Sequence, residues 1–444
     1  MSKKHVVVIN VAGLSPRHLE MRDELPNISG ILKKGFSAPL TPSFPAVTCS
    51  VQASILTGKY PEDHGIVANG FFDREILETR FWEQSARLVR SPQIWDVLKE
   101  KDSSIKTAVL FWQNTMFSGS DIVITPRPLH TESGMVQWCY SKPAGFYEEL
   151  TKTLGEFDLK NYWGPLASVK SSEWITGAAI ETLKRELPDL LMVYIPHLDY
   201  SSQKFGINTE IEKKDVQEVD RLIGNMVQAV DDLKLSDQTV FIIHSEYSLV
   251  NVSGGVCLNK VLRKNGLLAV REIQGKEYID FEMSKAFAMV DHQMAHVYVK
   301  DSFADQVRGL IASTDGVAQV WGEEEKQKYH IANERSGELI AIAKPDKWFA
   351  YYWWDETEKA PEFTRTVDIH RKPGYDPLEL FFDPKIRAIS TDTNLLKGSH
   401  GLNLQDDNQK ACLLIGGAVP DKVKPEDEYK AVELFEIIQR LLIS

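Results

Sequence analysis

Leu190–Ile195 and Thr239–Ile243 are nearly unbroken apolar runs of strand length, the pattern of strands covered on both faces. Between them Val216, Val219, Leu222, Ile223, Met226, Val227 and Val230 recur at helical spacing, and Ser171–Leu187 ahead of them does the same. Buried strand alternating with helix predicts an α/β chain, with a parallel or mostly parallel sheet sandwiched by helices. A first strand is read at His5–Val11, others at Lys106–Trp112 and Ala411–Ile415, and helices at Leu25–Lys34, Ile94–Glu100 and Tyr429–Leu442. Pro126–Tyr147 reads as loop. From about Gly255 the elements shorten, with strand-like Phe287–Val290 and His296–Val299 beside a short helix at Ala304–Ile311. The expectation is a core of residues 1–254 and 336–444 interrupted by a smaller α+β cap insertion at 255–335. Ser336–Ala343 reads as a strand, and the aromatic run from Trp348 to Trp354 as core before binding surface.

A net charge of −12 and the lack of any Lys/Arg-rich run give no footing for a nucleic acid polymer. No apolar run approaches the length of a membrane span. Cys49, Cys139, Cys257 and Cys412 are scattered without metal-ligand spacing and read as reduced thiols. The start Met-Ser-Lys-Lys-His passes directly into Val6-Val7-Val8-Ile9, a strand and not a signal segment. A soluble cytoplasmic protein is expected, with its oligomeric state open.

In open α/β sheets ligands bind beyond the carboxyl ends of the strands. The Ala12–Gly13 turn, Asp199 and Glu246 all fall at such ends. The stretch from Thr41 to Asn69 adds a fourth candidate. Pro42 and Pro45 hold its approach extended, and from Thr48 the pattern turns helical, with Val51, Ile55 and Leu56 on one face. Thr48 therefore stands at a helix N-terminus, where backbone N–H groups and the dipole favour an anion. A hydroxyl there is a cap, a phosphate ligand or a nucleophile.

These residues carry a family resemblance. Gly13-Leu14 after the first strand, Pro26-Asn27-Ile28 with Ile31-Leu32 and Gly35, and Phe44-Pro45-Ala46-Val47-Thr48 belong to it. So do Thr57-Gly58, Pro61, His64-Gly65-Ile66 and Asn69, the stretch Asn259–Leu268 that enters the cap insertion, and Gly398-Ser399-His400-Gly401. Together they resemble the alkaline phosphatase superfamily, closest to its type I phosphodiesterase/nucleotide pyrophosphatase branch. The resemblance implies that Thr48 is the nucleophile and that Asn69 donates to a phosphate oxygen. It also implies that Asp199 and His400 are metal ligands, and that two zinc-type ions activate the hydroxyl, which alone is a poor nucleophile. Zn is the first expectation, with Mn, Fe or Mg as alternatives and one or two ions.

The chain departs from the family pattern at four positions. The aspartate after strand one is Ala12, the histidine four residues past Asp199 is Gln203, and the Asp-His pair after the Thr239–Ile243 strand is Glu246-Tyr247. Glu246 can still ligate; Tyr247 is a poor candidate. Asp368 with His370, and His292, are the expected replacements, because each joins acid and imidazole. His292 and His296, four apart, would share a face on a strand. Gln203 and Lys372 are expected on the substrate side. The leading expectation is a metal-dependent hydrolase of phosphodiester or pyrophosphate bonds in a small organic phosphate. The alternatives are a catalytically degenerate phosphate-ligand-binding protein and a phosphomutase or transferase on the same scaffold.

Overall fold

Val-, Ile- and Leu-rich runs without a polar side need cover on both faces, and the strands at the centre of this chain receive it. Every residue of Leu190–Ile195 and of Thr239–His244 is buried. The computed structural model describes residues 4–132, 134–404 and 406–443. Its main sheet runs, edge to edge, Tyr429–Lys430, Phe36–Thr41, Ala411–Gly417, Thr239–His244, His5–Val11, Leu190–Ile195, Thr107–Leu110, Ile122–Pro126 and Cys139–Lys142. His5–Val11 is parallel to both neighbours, in registers that include Val11 with Ile195 and Asn10 with His244. Leu190–Ile195, Thr107–Leu110 and Ile122–Pro126 continue the parallel order. Val169–Glu186 and Glu210–Asp232 pack on each other, and Glu433–Leu442 packs on Thr48–Thr57.

Three pieces depart from the sequence reading. Ala411–Gly417 is inserted antiparallel between Phe36–Thr41 and Thr239–His244. Within the expected loop at Pro126–Tyr147, Cys139–Lys142 pairs antiparallel to Ile122–Pro126 and closes the sheet edge. The expected helix over Tyr429–Leu442 begins only at Glu433, because Tyr429–Lys430 pairs beside Phe36–Thr41.

A second sheet, four-stranded and antiparallel, falls largely in the stretch expected as an insertion, in the order Ala286–Asp291, Met294–Val299, Leu339–Ala343, Val317–Trp321. Its third strand in that order lies past residue 335, so the insertion's sheet reaches Ala343. Trp348 to Trp354 are all buried in the apolar cluster of this second unit. Asn259 ties the insertion together: its Nδ2 donates to the carbonyls of Ala288 (2.8 Å) and Tyr351 (3.0 Å), and its Oδ1 accepts from Ala288 N–H (2.7 Å).

Candidate functional site

Three adjacent parallel strands end side by side, and the residues just beyond them meet. Ala12 N–H donates to the Ile195 carbonyl (3.0 Å). Gly13, at φ +77°, passes so close that a Cβ there would lie 2.7 Å from Leu249 Cδ1 and 3.9 Å from Asp199 Cα. Glycine is therefore needed for the backbone turn and for the approach. Asp199 lies in the His197–Phe205 helix and Glu246 just past Thr239–His244.

Thr48 is the first residue of Thr48–Thr57, and the N-cap is Val47. The hydroxyl is thus not spent as a cap. It faces the Tyr247 hydroxyl at 3.5 Å. One residue on, Cys49 N–H donates to Asn69 Oδ1 (2.9 Å). Asn69 is clamped in turn by Asp291, which accepts from its backbone N–H (2.7 Å) and from Nδ2 (3.1 Å). Asp291 sits at the end of Ala286–Asp291, so the insertion fixes the orientation of a core residue.

The His400 loop is wedged between the Thr48 approach and the insertion. Ala46 N–H donates to the Gly401 carbonyl (3.3 Å), Gln293 N–H to the His400 carbonyl (3.0 Å), and His400 Nδ1 to the Ala46 carbonyl (2.8 Å). His292 Nδ1 donates to Asp291 Oδ1 (2.6 Å). The His400 ring lies between those of Tyr247 and His292, and Tyr375 covers the far side of His292. Tyr375 OH donates to Gln203 Oε1 (3.0 Å), and Gln203 Nε2 to Asp199 Oδ2 (2.6 Å). Glu246 Oε1 accepts from Asn10 and from Gln52, each at 2.8 Å.

Burial sets the electrostatics. It pushes the carboxyls of Asp199 and Glu246 up to about 7, against the opposing hydrogen bonds from Gln203 and from Gln52 and Asn10. Burial likewise raises Asp291 to about 6 and holds the imidazoles of His292 and His400 below their ordinary range. Tyr247 stays protonated for the same reason.

The cluster thus gathers Thr48, Asn69, Asp199, Gln203, Glu246, His292 and His400 from the sequence candidates. It leaves out Lys372, Asp368, His370 and His296. Lys372 is 1 % exposed and reaches Asp376 (2.8 Å) and Glu379 (2.6 Å), so it neutralises buried carboxylates and does not face a substrate. Asp368 pairs with Arg371, and its N–H donates to Glu379. His370 is exposed and bonds the Phe81 carbonyl. His296 bonds the Val67 carbonyl, on a strand, whereas His292 sits in the turn, so the two imidazoles share no face. Asp291, read in the sequence only as the acid beside His292, takes part in its own right, and Tyr375, Asn10 and Gln52 join it without having been singled out. The acid–imidazole pair Asp291-His292 was the available signal for the first; nothing local marks Tyr375.

Two buried oxygens, Asp199 Oδ1 and Glu246 Oε2, have no hydrogen-bond partner among the described residues, which is the kind of feature a cation would answer. The donor set does not complete it: among the described residues no three His, Cys, Asp or Glu side chains converge as metal ligands. With Ala12, Gln203 and Tyr247 in place of ligating residues, the two-ion centre does not fit this site as it stands.

A mostly parallel sheet with an insertion, and a threonine at a helix mouth beyond its strand ends, define an alkaline phosphatase-like protein. The family model for type I phosphodiesterase/nucleotide pyrophosphatase matches residues 6–376, and the chain belongs to that family. An uncharacterised pyrophosphatase/phosphodiesterase of Schizosaccharomyces pombe is 24% identical over 254 residues, 56% of this chain and 45% of that one. Ectonucleotide pyrophosphatase/phosphodiesterase 1 of Saccharomyces cerevisiae is 27% identical over 230 residues, 48% of this chain and 28% of its own. The chain therefore spans less than half the length of these relatives. Among solved structures, murine ectonucleotide pyrophosphatase/phosphodiesterase 5, as an inactive threonine-to-alanine variant with AMP, is similar at TM-score 0.64 and 16% identity, covering 99% of this chain and 95% of that one. Phosphonoacetate hydrolase of Sinorhizobium meliloti with phosphonoformate gives TM-score 0.64 at 15% identity, covering 99% and 96%. No helix among the described residues is long and apolar enough to cross a membrane.

Proposed function

We propose that this chain hydrolyses a phosphodiester or pyrophosphate bond in a small organic phosphate, with Thr48 as the nucleophile. The observation that carries the reading is the Thr48 hydroxyl at the mouth of a buried helix, beside the Asn69–Asp291 clamp. Backbone N–H groups of the first turn and the helix dipole favour a phosphate there. Asn69 Nδ2 gives one hydrogen to Asp291 and keeps the other for a phosphate oxygen. Thr48 Oγ1 bonds to phosphorus as the leaving oxygen departs, and the hydroxyl proton goes to that oxygen. Water then cleaves the phospho-threonine and restores the hydroxyl.

The names of the relatives support the bond class, and the AMP complex of the murine variant supports a small phosphorylated ligand and a role for threonine. The four thiols, none paired in a disulfide, support the reducing cytoplasm as the compartment. Thr48→Ala is expected to cut turnover of an aryl phosphodiester roughly a thousandfold or more while leaving the melting temperature unchanged. Unaltered turnover removes Thr48 from the reaction.

A second reading, ligand binding without turnover, is favoured by two features: the Gln203 amide holds Asp199, and the Tyr247 ring covers His400. It predicts saturable AMP binding by the wild-type chain with no hydrolysis.

A further inference from the structure

Beside Thr48 and Asp199 stands a column of rings. Tyr247 lies on His400 with centroids 3.4 Å apart and planes 5° from parallel. His400 lies on His292 at 3.7 Å and 36°, and His292 on Tyr375 at 3.7 Å and 19°. The rings come from separate segments: the end of a central strand, the late glycine-rich loop, the insertion's hairpin and the return from the insertion. Both ends are tied by polar groups. Tyr247 OH faces Thr48 Oγ1, and Tyr375 OH holds Gln203, which holds Asp199.

Ring faces at these spacings are in van der Waals contact. Since an imidazole takes a metal in its ring plane, what argues against an ion is that Gln203 and Tyr247 offer an amide and a phenol where imidazoles would ligate. The two imidazoles spend Nδ1 on the Ala46 carbonyl and the Asp291 carboxylate, which leaves Nε2 as the one ring nitrogen of each that a cation could reach. His292 also adopts φ +59° as the first of the two turn residues between Asp291 and Met294. That region favours glycine, though histidine is one of the side chains that adopt it most often, and here the His292 ring completes the column.

We propose that this column takes the place of the family's cation pair: stacked rings and amide hydrogen bonds hold the site's geometry, and the site carries no resident divalent ion. The proposal concerns what holds the site: it stands if the hydrolysis reading fails, and if hydrolysis proceeds without bound metal, Thr48 is activated by its protein neighbours alone.

The test is the metal content and melting behaviour of the full chain, purified without chelator, incubated with Zn²⁺ and desalted. The expected result is well under one mole of transition metal per mole of chain, and a melting temperature moved by neither EDTA nor Zn²⁺. Retention of about one mole or more of Zn²⁺ per chain, lost to EDTA with a fall in melting temperature, overturns the proposal. A Gln203→His/Tyr247→His double variant opens the column and restores two imidazoles. It is expected to gain a Zn²⁺-dependent rise of about 3 °C at a hundredfold excess over Kd. A double variant that folds and shows no such gain overturns the claim that these two side chains exclude the ion. Should it not fold, the wild-type metal measurement decides alone.

Discussion

Replacing Lys372 by methionine separates a structural cation from a substrate-binding one. Its Nζ donates to the Thr366 carbonyl (2.9 Å) and lies 2.8 Å from Asp376 and 2.6 Å from Glu379, with all three charged side chains almost fully buried. The carboxylates have other partners. Asp376 accepts from Leu378 N–H (3.1 Å), and Glu379 accepts from Asp368 N–H (2.8 Å) and Trp163 Nε1 (2.6 Å). Those donors carry no full charge, so the variant leaves two buried carboxylates facing each other. Breaking a buried pair in this way costs about 3–5 kcal/mol. With an unfolding entropy of roughly 2.1 cal/mol/K per residue, a chain of 444 residues has about 0.9 kcal/mol/K. Lys372→Met should therefore lower the melting temperature by about 3–5 °C, read by calorimetry or circular dichroism. Adding Glu379→Gln should recover part of the loss. A variant that melts within about 1 °C of wild type but shows a raised KM would refute the argument and return Lys372 to the substrate.

Two further outcomes follow from the same structure. Asp199 is raised in the folded chain to about 7 from an ordinary value of 3.8, so its contribution is fully present at low pH and is lost as pH rises through 7. The loss is at most about 4 kcal/mol. Asp199→Asn cannot titrate and should show a flatter decline in urea midpoint between pH 4 and pH 8; parallel profiles would contradict the burial argument. Asn259→Ala strands the Ala288 N–H and two carbonyls inside the insertion. It should cost about 1–3 kcal/mol, seen as a lower melting temperature, and an unchanged melt would show those groups to be satisfied otherwise.

The sequence made the central architecture legible because its signals are local. Leu190–Ile195 and the stripe from Val216 to Val230 reveal strand and helix through side-chain period alone. The same logic placed Thr48 at a helix start and set Asp199 and Glu246 at strand ends, and the structure brings all three into one buried cluster. Edge and antiparallel strands were less legible. Cys139–Lys142 has too few residues to show a period, and its pairing with Ile122–Pro126 is decided by the open sheet edge.

Site membership beyond those residues was decided only by tertiary structure. Asp368, His370 and Lys372 carry the same chemistry as Asp291 and His292 when read along the chain. In space the first three serve a surface pair, a backbone carbonyl and a buried charge cluster. Asp291 reaches Asn69 across 222 positions of chain, and Tyr375 reaches Gln203 across 172. The sequence by itself determined which elements form and where a hydroxyl meets a helix N-terminus. The fold determined which distant side chains share that place, because ring stacking and buried hydrogen bonds depend on distances that no local period encodes.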